Sequence, residues 1–138
     1  MIDYALVNKF IGKPWVYLES DCWAIVKQAS KQIFGVEIVD NISFSKKPGK
    51  GETALIVNEQ TKLPCWIKTD NPKAGDVIVF NDRKNNPAHV GIFIEGSNIL
   101  HCMGGHGIKN GKARYDTLKI INLIYPIYET YTYANNRC

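Results

Sequence analysis

Apolar residues recur at helical spacing in the first quarter of the chain and gather into short strand-like runs in the second half. Tyr4 to Ile11 predicts a short helix, which Gly12-Lys13-Pro14 stops because proline disfavours helical backbone at the residue before it. Pro14 to Ser20 reads as an irregular loop carrying Trp15 and Tyr17. The clearest helix follows. Ser20 or Asp21 can cap its free N–H groups, and Cys22, Ile25, Val26, Ala29 and Ile33 form one buried stripe. Phe34-Gly35 closes it, since glycine takes the left-handed closing conformation without a side-chain clash.

Asn41 to Lys50 is loop by composition, and Glu52 to Gln60 reads as a second, weaker helix. Pro64 to Ile67 is a short strand or a lead-in to one. From Asp76 the pattern turns to β. Asp76–Phe80, His89–Ile94 and Ile99–Met103 are β-branched runs separated by turn residues, and they predict an antiparallel meander. Gly104-Gly105-His106-Gly107 is a loop. Tyr125 to Tyr133 adds a last strand. Pro126 confines it to an edge, a bulge or a strand start, and Tyr128, Tyr131 and Tyr133 read as flanking an edge. Helices first and strands after make the class α+β: N-terminal helices packed on an antiparallel sheet.

Composition narrows the classes. With 138 residues, 1–138 reads as a single domain that needs no metal or disulfide to fold. No apolar run approaches the ~18 residues of a membrane span, so membrane insertion is not expected. The net charge of +4 is too mild, and the basic residues too scattered, for a nucleic-acid partner; the one small cluster, Lys46, Lys47 and Lys50, reads as a solvated loop. The start, Met1-Ile2-Asp3-Tyr4, has neither a basic nor a long apolar region, so the expectation is synthesis in the cytoplasm without a signal peptide. Cys22, Cys65, Cys102 and Cys138 are widely and irregularly spaced, which predicts free thiols in a reducing compartment.

Chemistry centres on Cys22. A helix N-terminus brings free N–H groups and partial positive charge to a thiol, and both favour the nucleophilic thiolate. A general base is still needed, normally histidine. The chain has three histidines; His89 and His101 lie in the meander and His106 in the glycine-rich loop. Taken singly, each of these residues has an ordinary reading: a core thiol, a satisfied polar side chain, a solvated loop residue.

Their order forms a pattern. Gly12-Lys13-Pro14-Trp15-Val16-Tyr17 followed by Asp21-Cys22 resembles the Gly-x-Pro-Tyr-x-Trp and Asp-Cys-Ser-Gly elements of the NlpC/P60 cysteine peptidases. Pro72 to Phe80 resembles that family's Pro-Gly-Asp-Leu strand, and Pro87 to Ile94 its His-Val-Gly-Ile-Tyr strand. Ile99-Leu100-His101 is similar to its third segment. The resemblance runs from about Ile11 to His101. It implies a papain-like mechanism without metal or cofactor: Cys22 as nucleophile, His89 as the base that later protonates the leaving amine, and His101 holding the His89 ring. Backbone N–H groups near Cys22 would receive the oxyanion. Family members cut peptide bonds in bacterial peptidoglycan, often between D-glutamate and a diamino acid, so the implied partner is peptidoglycan.

His101 can touch His89 only if both lie on one face of the sheet. A plain two-residue turn at Gly96-Ser97 would set His101 opposite Ile92, on the wrong face. An odd-length loop or a bulge would set it opposite Gly91, whose missing side chain leaves room for the two rings, and this is the register we expect.

Some positions depart from the family pattern. Trp23-Ala24 replaces Ser-Gly, Trp15 stands where a site tyrosine is usual, and the loop before Asp21 is short. Tyr17 could supply the missing hydroxyl. Trp15, Tyr17, Asp21 and Trp23 are therefore the candidate substrate-binding residues. Such compact Asp-Cys-Trp versions resemble phage tail-tip peptidases, which implies phage tail proteins as partners and a place in the virion tail or delivery to the periplasm or cell wall. Three other readings stay open: a zinc site using His89, His101, Cys102 and Cys65, a structural tail module with a weak or dead site, and a cysteine amidase or acyltransferase on another substrate.

Overall fold

The computed structural model describes residues 2–17, 19–39, 60–83, 86–104 and 110–138. The Lys46, Lys47 and Lys50 cluster, the loop over 41–50, His106 and all but the last residue of the helix expected over Glu52–Gln60 lie outside the described residues. Helix α1 spans Tyr4–Phe10 and is capped by Asp3, whose side chain accepts from the Ala5 N–H at 3.0 Å. It buries Val7 and Phe10. Helix α2 spans Cys22–Phe34. Asp21 is its N-cap, accepting from the Ala24 N–H at 2.8 Å, and Gly35 closes it at φ 69°. These two ends fix where the helix begins, and so put Cys22 in its first turn.

The strands are β1 (Trp66–Lys68), β2 (Val77–Arg83), β3 (Asn86–Glu95), β4 (Asn98–Cys102), β5 (Ala113–Thr117) and, after the short helix α3 (Leu118–Ile121), β6 (Ile127–Tyr133). They form one six-stranded antiparallel sheet in the order β1-β6-β2-β3-β4-β5. The architecture is α+β, as expected from the sequence. Helix α2 packs on β3 and β4. Ile25, Val26 and Ala29 meet Val77, Val79, Val90, Ile92 and Leu100 in the larger core. The other face of the sheet carries a smaller core of Ile78, Phe80, Phe93, Ile99 and Ile121. Apolar burial on both faces makes His89–Ile94 read as a run rather than an alternation. Each such side chain contributes about 1.5–3 kcal/mol when fully buried.

One expectation about the C-terminal part is corrected. β6 is not an edge strand; it lies between β1 and β2, with Pro126 just before its start, where a missing N–H costs no ladder bond. The edge β5 was not predicted, because Ala113-Arg114-Tyr115-Asp116-Thr117 lacks an apolar run. The cysteines are also corrected: Cys65 and Cys138 form a disulfide, which leaves Cys22 and Cys102 outside it. Pairing of Trp66 with Tyr133 brings the end of β6 beside Cys65, and the 3-10 turn Asn135–Arg137 then swings Cys138 back to a Cα separation of 4.8 Å. That is bonding range. A separation of 73 residues gives no hint of it along the chain.

The expected register is observed. Gly91 pairs with His101, Ile92 with Leu100 and Phe93 with Ile99, and then a bulge at Ile94 lets Glu95 pair with Asn98. The turn itself is the two-residue Gly96-Ser97, and the bulge supplies the extra residue that turns His101 to the His89 face. A Cβ on Gly91 would sit 2.6 Å from Ile99 Cγ2 and 3.3 Å from His101 Cβ. Gly91→Ala is therefore expected to destabilise the fold by about 1–3 kcal/mol in urea denaturation. A loss below roughly 0.5 kcal/mol would mean that β4 yields freely there.

Candidate active site

On the sheet face away from α2, β3 presents His89, β4 presents His101, and β5 presents Arg114 and Asp116. The paired register sets His101 opposite Arg114, and Asp116 lies two residues further along the same face. His89 Nε2 is 2.9 Å from His101 Nδ1, and His101 Nε2 is 2.8 Å from Asp116 Oδ2. Arg114 donates from Nε to the same Oδ2 at 3.1 Å and from Nη2 to Oδ1 at 3.4 Å. The result is a continuous line of contacts from a buried ring to a surface ion pair.

His89 is 3% exposed and His101 1%. The His89 ring packs against Phe80 and Tyr125, at 5.8 and 5.6 Å between centroids, in a cluster where those two rings also meet each other at 5.9 Å, and it meets the His101 ring edge-on. Burial, and secondarily the neighbouring His101, hold the His89 pKa well below its ordinary 6.5. Burial also lowers that of His101, against the opposing pull of Asp116. For Asp116, burial acts upward, but hydrogen bonds from His101 and Arg114 overcome it and bring its pKa below the usual carboxylate value. Near neutral pH the line thus holds two neutral imidazoles and one carboxylate.

This has a consequence for stability. The unfolded chain protonates His89 near 6.5, whereas the folded chain resists until a lower pH. The stabilising preference is fully present above 6.5 and is lost as the pH falls from there toward the folded-state value, at up to about 1.4 kcal/mol per pH unit. Urea denaturation between about pH 7 and pH 5 is expected to show this slope, and His89→Gln to reduce it to the part that His101 contributes. A wild-type profile that stays level over that range would contradict it.

The other candidate residues are placed as follows. Cys22 heads α2 and is 4% exposed. Tyr125, which sequence reasoning passed over, links it to the histidines: the ring stacks on His89, and its pKa is raised by burial first and then by the charges of Cys22 and Asp82. Asp21 caps α2 and is buried. Trp23 points into the larger core, 6.2 Å from Trp66 between ring centroids, a packing position away from the histidine face. Trp15 is half-buried against the backbone of Gly104, and its backbone N–H donates to the Gly111 carbonyl at 2.8 Å. Tyr17 is half-buried in the loop before α2. His101 and Cys102 lie on opposite faces, so the zinc reading loses its shared corner. Asp116 and Arg114 were also missed. Their signal was the charged–aromatic–charged alternation Arg114-Tyr115-Asp116, which a strand turns to one face.

The NlpC/P60 family model matches residues 12–133 of this sequence. The chain belongs to the NlpC/P60 family. Members of this family are generally cysteine peptidases and amidases, and the stretch matched includes α2, all six strands and every residue of the histidine line. Tail tip assembly protein K of Escherichia phage N15 is 26% identical to this NlpC/P60 chain over 102 residues, covering 70% of the chain and 40% of that protein. The chain thus spans less than half the length of that curated relative.

Proposed function

We propose that this NlpC/P60 protein is a thiol hydrolase that cuts peptide bonds in the stem peptides of bacterial peptidoglycan, as a component of a phage or prophage tail. The observation that carries the reading is the His89–His101 contact of 2.9 Å, built by the bulge at Ile94 on a chain that matches the family. Cys22 attacks the scissile carbonyl. His89 takes the thiol proton and returns it to the leaving amine, while His101 holds the His89 ring. Helix α2 covers the opposite sheet face, and Tyr125, whose ring stacks on His89, also feels the charge of Cys22. Backbone N–H groups at the start of α2 receive the oxyanion. Trp15 and Tyr17, on the loop leading to the nucleophile, contact substrate in this reading. The tail assignment draws on the relative, a tail tip assembly protein, and puts the protein in the virion tail or delivers it to the periplasm and cell wall.

Digestion of purified peptidoglycan, with products read by mass spectrometry, tests this. New stem-peptide fragments name the bond. If no fragments appear but Cys22 is alkylated rapidly at neutral pH, the substrate is another amide or ester. If neither occurs, the chain is a tail module without hydrolytic activity.

A further inference from the structure

Two imidazoles in contact can order their protons in two ways, and only one leaves a base facing outward. The group at the far end of the line decides which. An ionised carboxylate can only accept hydrogen bonds. Asp116 Oδ2 lies 2.8 Å from His101 Nε2, so that nitrogen carries a proton. A neutral His101 then has a bare Nδ1, which accepts a proton from His89 Nε2 across 2.9 Å. A neutral His89 donating from Nε2 has its lone pair on Nδ1, the remaining ring nitrogen.

We propose that Asp116 is a positioning residue which fixes this proton order through His101 and so keeps His89 Nδ1 bare to accept the Cys22 proton. The role rests on the proposed cysteine mechanism. In the step itself the Cys22 S–H bond breaks and an Nδ1–H bond forms on His89, giving a thiolate and an imidazolium. The imidazolium keeps its Nε2–H bond to His101, and the Asp116 carboxylate at the end of the line offsets its charge. Arg114 keeps that carboxylate ionised and in place with two further contacts, at 3.1 and 3.4 Å. Burial of both rings argues against the competing state, a doubly protonated His101 whose Nδ1–H would force His89 into the opposite tautomer.

Asp116→Asn replaces an acceptor with a side chain that can also donate, which permits the reversed order. Proton-detected nitrogen spectra of protein carrying 15N-labelled histidine read the order directly. In the wild type, His89 and His101 are both expected to carry the proton on Nε2. In Asp116→Asn a substantial fraction of both rings should carry it on Nδ1, and Asp116→Glu should restore the wild-type pattern. The turnover of Asp116→Asn should fall by about 10²–10⁴-fold with KM within about twofold, and alkylation of Cys22 should slow with it. A wild-type His89 protonated on Nδ1 overturns the proposal whether or not the variant folds. So does an unchanged proton order in a folded Asp116→Asn. If the order shifts as expected but neither protein cuts peptidoglycan, the proton order stands and the substrate reading fails. If wild type cuts and Asp116→Asn has the same order and rate, the substrate reading stands and this role for Asp116 fails.

Discussion

Cys22→Ala is expected to lower the release of stem-peptide fragments by about 10⁴-fold or more, to the level that binding and the oxyanion donors alone sustain. Of the two cysteines outside the disulfide, Cys102 lies on the α2 side of the sheet, and burial and the charge of Asp21 raise its pKa to about 11. A thiol so rarely ionised is a poor nucleophile at neutral pH. Cys22 instead heads a capped helix, with Tyr125 linking it to His89. Since Cys22 is also a small member of the core, the control is stability: Cys22→Ala should stay within about 1–1.5 kcal/mol of wild type in urea denaturation. Loss of activity with retained stability identifies the nucleophile. Fragment release within tenfold of wild type would remove Cys22 from the chemistry.

Cys138→Ser is expected to cost about 4 kcal/mol of stability, which lowers the melting temperature by roughly 10–20 °C. The bond closes a loop spanning 73 residues, and opening it returns that loop's entropy to the unfolded chain. It also releases the region around β1, whose three residues pair with β6 alone among the described strands. Beside it, Ala134 N–H bonds the Cys65 carbonyl at 2.7 Å, and Trp66 rests on Tyr133 at 4.7 Å between centroids. Wild type in strong reductant should melt with the variant, and reductant should leave the variant unchanged. A variant within about 1 kcal/mol of wild type would mean that the bond only decorates a fold held by β1–β6 pairing. The histidine line lies at the β3–β5 side of the sheet, so a folded Cys138→Ser should retain its proton order.

Where local rules applied, the sequence was legible. Capping by Asp21 and closure at Gly35 need only neighbours in the chain, and they put Cys22 in the first turn of α2. Alternation along a strand, with the demand that two histidines meet, was enough to require an odd-length loop or a bulge and to set His101 opposite Gly91; the structure chose the bulge. Legibility ended where distant segments had to meet. Whether Trp23 faced substrate or core depended on where Trp66 came to lie. Pro126 allowed an edge strand or a strand start, and only the pairing of β1 decided between them.

The sequence by itself thus determined the α+β order and the helix headed by Cys22, which follow from periodicity and capping, while the shared face of His89 and His101 followed from strand alternation once the family resemblance required the two rings to meet. The tertiary structure alone decided the Cys65–Cys138 bond, the central place of β6 and the addition of Arg114 and Asp116 to the histidines. These depend on which strand lies beside which across long stretches of chain, and no local propensity encodes that.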